Sequence, residues 1–489
     1  MTSRGLARTG GKHTFPDRMS SKIRGAALAA ALFAASGNGL AARGEARPAT
    51  APLAPAATPA EDLQFLHDLA RDVVQASRVP PGKKAGGSPT NTCGFTLIMP
   101  DGRAAYHAFW LQDFAMSLDS GFITSEETLQ HLRLIARSQN GPVARKLQHG
   151  LIVPPFAVPD HINFDGGAVF YPGTYSSGDD QGNGNYGILP QVDNHYEFVH
   201  VAWWLWRVTG RAEFLQESIN GLTLFERLKA GFAAPRSDAQ TGLVATDTEQ
   251  RAVGFGFCDG ICLTGELLFP SLLRYRAAGE LADLCRAAGK DGQEPAYRQV
   301  QQRIAGNLAA AFAEPDRVGG WLLAATSSGR QPDVWGTLYA VHLGIIQGGV
   351  GQSAIQTVAE AVRKGTIVLE GGVRHVPTNF DWSATSAWEK TAGLPLNTYQ
   401  NGAYWHTPTG WIIAVVRRQD AGLASQLFRD YIRHLRADDF RRGPGHGAPW
   451  ECFGPKGYAQ NGVYMTSVTL PAAVLGAKPG AGVSHQGSP

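Results

Sequence analysis

The chain reads as an all-α protein, an (α/α)6 toroid with long loops gathered on one face. Three observations predict it. From residue 61 onward apolar residues recur at three- and four-residue spacing, with no convincing alternating series between them. The helical stretches fall at roughly 61–78, 106–121, 125–138, 194–209, 211–229, 259–277, 294–313, 334–346, 352–365, 402–417, 420–436 and 462–475. The links between them alternate in kind. Those at 209–211, 347–351 and 417–419 are tight, whereas 139–192, 230–257, 314–332, 366–401 and 437–461 are long and rich in Gly, Pro, Asp and aromatics. Long irregular loops are uncommon in compact domains unless they carry function. Antiparallel hairpins joined this way collect the short turns at one end and the long loops at the other, where a pocket forms. Loop lengths too unequal for a fixed repeat argue against a helical solenoid.

Taken in order, the chain opens on a basic segment. Lys22 and Arg24 precede an apolar run from Gly25 to Ala35, with small residues around Ala41–Ala46, which predicts a signal peptide over 1–46, with Met19 as an alternative start. Residues 47–60 read as a Pro/Ala linker, 61–476 as the (α/α)6 catalytic domain and 477–489 as a tail. A periplasmic or secreted location is the expectation, with no membrane span after cleavage. The formal charge of +3 is concentrated at the N-terminus. Removing the seven basic and two acidic residues of 1–46 from the totals of 44 and 41 leaves 37 against 39, a body with no footprint for nucleic acid. Cys93, Cys258, Cys262, Cys285 and Cys452 lack zinc-site spacing and read as small apolar side chains, although Cys258 and Cys262 would share a helix face. Gly210, Gly231 and Gly349 are read as helix stops.

Four clusters fall on the long-loop face. Trp110-Leu111-Gln112-Asp113-Phe114 sets a carboxylate among aromatics at the start of the second helix, as a substrate contact or a capping or buried structural acid. Asp193 and Asn194 suit a helix N-cap that also turns donors toward a ligand, before a helix whose Trp203, Trp204 and Trp206 are mostly core. Asp259 is read as beginning a helix beside Phe255 and Phe257. Desolvation there would keep it protonated, as a general acid requires; an N-cap is the alternative. Glu266, further along, is a weaker candidate. Finally Tyr399-Gln400-Asn401-Gly402-Ala403-Tyr404-Trp405 brings aromatic and amide groups to a loop–helix junction, and Trp450-Glu451 sits in a Pro/Gly loop. Ring faces that stack on sugars, amides that pair with hydroxyls and an isolated carboxylate that handles a proton are what a carbohydrate site needs. Asp333 with Trp335, Asp381 with Trp382, and Trp388 with Glu389 add acid–aromatic pairs. Asp160, Asp165, Asp179 and Asp180 have no EF-hand spacing and read as a surface loop. No metal or cofactor is expected, for the chain carries no G-x-S-x-G, Walker loop or H-E-x-x-H.

With these residues in view, the chain over about 61–475 resembles the six-hairpin glycosidases, the group that includes glucoamylase, trehalase and the processing α-glucosidase I. Trp110–Phe114 is similar to that group's aromatic-Arg-Asp segment, with Gln112 where Arg is usual. Tyr399–Trp405 is similar to its Y-x-N-G-x-x-W entry, and Trp450-Glu451 with Pro455-x-Gly457 to its Glu-x-x-x-Pro-x-x-Gly loop. The resemblance implies an anomer-inverting hydrolase, with two carboxyls about 6.5–9.5 Å apart. It makes Glu451 the general base, Asp113 a contact in the cleavage subsite and Asp259 the general acid, with Asp381 its rival. Trp110, Trp405, Trp450 and Tyr399 would wall the site; Asp193, Asn194, Gln400 and Asn401 would grip hydroxyls. A polysaccharide lyase using His161, His195, Tyr196 or His406, and a non-catalytic glycan-binding protein, are the other expectations.

Overall fold

The computed structural model describes residues 59–380 and 394–476. The expected signal segment, the 47–58 stretch of the linker, the tail and Asp381, Trp382, Trp388 and Glu389 lie outside those residues. Thirteen α-helices occur among the described residues. They are α1 (Pro59–Ala76), α2 (Leu111–Ser117), α3 (Ser125–Ser138), α4 (Asp193–Thr209), α5 (Leu224–Ala233), α6 (Leu268–Ala287) and α7 (Glu294–Phe312). There follow the one-turn α8 (Pro315–Val318), then α9 (Val334–His342), α10 (Gly348–Arg363), α11 (Thr409–Arg417), α12 (Ala421–Ala437) and α13 (Thr466–Val474). Setting α8 aside, each corresponds to one predicted helical stretch.

Two kinds of helix alternate along the chain. α2, α4, α6, α9, α11 and α13 are buried on nearly every side, Leu111 to Ser117 of α2 completely so. α3, α7, α10 and α12 bury a single stripe. A helix apolar all round belongs inside a core and one with a stripe on its outside. The packing agrees: α2 packs on α4, α4 on α6, α6 on α9, α9 on α11, α11 on α13, and α13 returns to α2, while each outer helix lies against this inner circuit. Short turns lead from inner to outer helices (118–124, 288–293, 343–347, 418–420) and long loops from outer to inner (77–110, 139–192, 234–267, 364–408, 438–465). The long loops therefore all enter at the N-terminal ends of inner helices.

Several boundaries differ from expectation for identifiable reasons. The stretch at 211–229 is broken by a small hairpin, because Asn220-Gly221 adopts left-handed φ of 49° and 82° and Thr223 with Glu226 forms a capping box that starts α5 at Leu224. Helix α6 starts at Leu268, nine residues after Asp259. Pro270 is tolerated in its first turn, and Gly265, at φ 88°, lies in a strand pair with 245–246. Asp259 thus caps no helix; it follows the 3-10 turn Gly256–Cys258. Cys258 and Cys262 share no α-helix, and all five cysteines are free. Gly231 lies buried inside α5 and Gly349 inside α10; of the three glycine stops only Gly210 ends its helix, at φ 67°.

Among the described residues no helix is long and apolar enough to cross a membrane. No group of three or more His, Cys, Asp or Glu side chains there could hold a metal.

Candidate active site

The last long loop builds the first half of the site. Strand Trp450–Phe453 pairs antiparallel with Ala459–Gly462, and the register Trp450↔Gly462, Cys452↔Gln460 sets Glu451 across from Asn461. Directly opposed residues share a face, so Asn461 Nδ2 donates to Glu451 Oε2 at 2.5 Å. The other carboxylate oxygen accepts from Tyr106 Oη at 2.9 Å, and Tyr106 in turn lies 3.2 Å from Tyr399 Oη. Tyr106 is presented by a turn wound around buried Asp101, whose carboxylate accepts the amides of Arg103, Ala105 and Tyr106. Glu451 is 1% exposed. Burial pushes its carboxyl well above the usual range, against the pull of the Tyr106 and Asn461 hydrogen bonds.

Asp259 forms the second half. Gln400 clasps its segment in both directions: Nε2 donates to Asp259 Oδ1 at 2.6 Å while Oε1 accepts the Gly260 amide at 2.7 Å. Phe257 anchors the segment by meeting Trp405 edge-on at 5.6 Å between ring centres. The backbone at Gly256 passes so close to Gln112 that a Cβ would lie 2.2 Å from its amide oxygen, and the Gly256 amide donates to Asp193. Asp259 is half-buried. Its carboxyl is pushed up to about 7 by burial, with the charge of Asp160 adding and the Gln400 bond opposing. The expected raised acid is present, without the expected helix.

Asp113, on α2, lies close enough to Glu451 for its charge to act there. It accepts from Tyr464 Oη at 2.7 Å and is raised to about 7, first by burial and then by the nearby Asp160 and Asp101 charges. The centre is a set of buried and half-buried acids held by neutral donors. Strain accompanies it: Tyr399 (φ 39°), Asn461 (φ 44°) and Val463 (φ 62°) all occupy the left-handed region, in the loops that present Tyr399, Asn461 and Tyr464.

Other expected contacts are placed elsewhere. Asp193 does not cap α4; it is fully buried and spends its carboxylate on the amides of Gly256 and Asn194. Asn194 is buried beside it, and its side-chain amide finds no hydrogen-bond partner among the described residues. Asn401 donates to the Leu394 carbonyl at 2.8 Å, holding its own loop, and Gln400 serves Asp259, so neither amide is a free grip on hydroxyls. Trp405 is 0% exposed and backs Tyr399, 5.3 Å away, instead of walling a pocket. Trp450 follows strand alternation to the face opposite Glu451, where Gly447 and Gly462 leave room for its ring. Trp110 and Tyr399 remain as half-buried aromatics at the centre, joined by Tyr106. Asp333 caps α9 through the Gly336 amide, and Glu266 accepts from Thr241. Asp160 is no surface residue: it is 3% exposed and pairs with His161, while Asp165, Asp179 and Asp180 are exposed as expected.

Tyr106, Asn461 and Tyr464 were missed. The signal for Asn461 was present, since a hairpin closed around Gly454–Gly457 sets it opposite Glu451; Tyr106 and Tyr464 reach the site from remote turns that no spacing links.

No protein-family model and no curated sequence matches the chain. Solved structures do. The GH63 mannosylglycerate hydrolase from Thermus thermophilus, in complex with glucose, superposes with a TM-score of 0.52 at 15% identity, covering 83% of this chain and 99% of that one. An uncharacterized conserved protein from the same organism gives 0.51 at 14%, with the same coverages. The GH78 family rhamnosidase of Bacillus sp. GL1 gives 0.50 at 11%, covering 85% of this chain and 35% of that one. At such identities the likeness concerns architecture. The chain shares the (α/α)6 fold of these structures.

Proposed function

We propose that the protein is a glycoside hydrolase that inverts anomeric configuration, with Asp259 as general acid and Glu451 as general base. One observation carries the reading: the dipeptide Tyr399-Gln400 joins two carboxyls held in different ways, Gln400 directly to Asp259 and Tyr399 through Tyr106 to Glu451. Asp259, raised to about 7, keeps a proton near neutrality and delivers it to the glycosidic oxygen as the bond to the anomeric carbon breaks. Glu451 takes a proton from water, whose oxygen attacks that carbon from the opposite face. Trp110 and Tyr399 offer ring faces to the sugar. Centre carboxylates held by Tyr, Asn and Gln rather than by Lys or Arg disfavour an anionic uronate, and so a lyase.

The test is turnover of a broad panel of oligosaccharides and aryl glycosides by wild type, Glu451→Gln and Asp259→Asn. Hydrolysis by wild type with large losses in both variants supports the assignment. An active Asp259→Asn beside a dead Glu451→Gln would move the acid role to Asp381, and binding without turnover would leave a glycan-binding protein. The proposal extends to an extracytoplasmic address directed by residues 1–46, which cell fractionation and N-terminal sequencing of the mature protein would test.

A further inference from the structure

One pair in the centre has no part in this chemistry. Asp160 and His161 are adjacent and buried, 3% and 1% exposed, with Asp160 Oδ2 2.7 Å from His161 Nδ1. A carboxylate oxygen there accepts from Nδ1–H, and a neutral imidazole then has a bare lone pair at Nε2. That nitrogen is buried and finds no hydrogen-bond partner among the described residues. A buried polar atom left unsatisfied is costly, and such atoms call for an explanation.

Its placement is fixed. Strand His161–Ile162 lies between Phe109–Trp110 and Ala168–Val169, in a register that sets His161 directly opposite Trp110. The two rings stack at 4.3 Å with 21° between planes, and Tyr175 meets both edge-on. Asp160 lies close enough to Asp113, Asp193 and Asp259 for its charge to act on all three. Imidazole and catalytic acid therefore belong to one centre, with half-buried Trp110 beside them.

We propose that Asp160–His161 is a sugar-recognition dyad: Asp160 fixes the Nδ1–H tautomer and orients the ring, and His161 Nε2 accepts a hydrogen bond from one hydroxyl of a neutral sugar lying against Trp110. The hydroxyls of an uncharged glycoside are donors, and this site's carboxylates already accept from Tyr106, Asn461, Tyr464 and Gln400. A bare imidazole nitrogen supplies an acceptor that competes with none of those pairs. Asp160 is a positioning residue in this arrangement. The inference rests on the hydrolase reading only in taking the ligand to be a sugar.

The test uses the full chain labelled with ring-15N histidine, His161→Asn and His161→Gln, titrated with methyl glycosides of glucose, mannose, galactose, rhamnose and arabinose. Asn offers an amide near Nδ1, keeping the partner of Asp160 while deleting Nε2; Gln reaches the Nε2 position. In wild type the Nε2 resonance, identified by its loss in His161→Asn, should report an unprotonated nitrogen and shift with whichever glycoside binds by calorimetry. His161→Asn should weaken that glycoside on the order of 10–100-fold, the effect of one lost buried hydrogen bond, and Gln should recover part of it through its amide oxygen. The analogue lacking the recognised hydroxyl should lose affinity for wild type and not for His161→Asn. A protonated Nε2, a bound glycoside that leaves the resonance unmoved, unchanged affinity in His161→Asn, or no binding of any glycoside would overturn the dyad. Binding through His161 without turnover of any substrate would keep the dyad and remove the hydrolase. Hydrolysis lost in Asp259→Asn and Glu451→Gln but undisturbed in both His161 variants would do the reverse.

Discussion

Asp259 and Glu451 are joined through one dipeptide but lie in unlike surroundings. Glu451 is nearly sealed and receives a donor on each oxygen, from the strand partner Asn461 and from Tyr106. Asp259 is half-buried and receives one side-chain donor, Gln400. Burial raises both carboxyls, Glu451 well above the usual range and Asp259 to about 7; two side-chain donors oppose that rise at Glu451, and the Gln400 bond opposes it at Asp259. The difference lies in donors and solvent, for among the described residues neither carboxyl is paired with a cation.

The comparison can be broken most severely at its sealed side. Glu451→Gln should lower kcat by about 10³-fold or more, with KM little changed, since it removes proton abstraction alone. Asp259→Asn should lose about 10²–10³-fold on alkyl glycosides but far less on aryl glycosides whose leaving group needs no proton. Equal losses on both substrate types would deny Asp259 the acid role. Tyr106→Phe removes a donor that favours ionised Glu451, so that carboxyl rises further and the acid limb of the kcat/KM profile should move to higher pH, at a cost of about 10-fold near neutrality. Gln400→Ala removes a donor that favours ionised Asp259. The acid then holds its proton to higher pH, so the alkaline limb, expected near 7 in wild type, should also move up, with only a few-fold loss at its optimum. Variants that moved the opposite limbs would exchange the two roles.

The same acids bear on stability. Asp113, Asp259 and Asp333 are each raised to about 7 in the fold from an ordinary 3.8. A carboxyl raised on folding stabilises fully below its unfolded pKa, and its contribution is lost as pH rises through the folded value. These three should therefore lower the thermal midpoint between about pH 4 and 7, and Asp113→Asn should flatten that decline.

The architecture was largely legible in the sequence, because a helix buried all round and a helix with one apolar stripe leave different periodicities, and because alternating link lengths are set by connectivity. Glu451 was legible for a local reason, a carboxylate between Trp450 and a Pro/Gly turn. What stayed hidden depends on register and on distant turns. Trp450 and Glu451 are neighbours in sequence and so opposite in a pleat; Gln400 and Asn401 look free until the backbone groups they serve, Gly260 and Leu394, are brought beside them. Asp193 and Asp259 carry the composition of helix caps, yet Asp193 reaches across to the Gly256 amide and Asp259 closes the 3-10 turn Gly256–Cys258. Asp160-His161 was masked by the run of exposed acids that follows it in the same loop.

The most direct measurement of the central claim is the configuration of the newly formed sugar, followed by proton NMR from the first minutes of hydrolysis before mutarotation. An acid and a base that act on opposite faces with a water between them predict the anomer opposite to that of the substrate. A first-formed product with the substrate's own configuration would make the second carboxylate a nucleophile, and would contradict the assignment of Glu451 as a base.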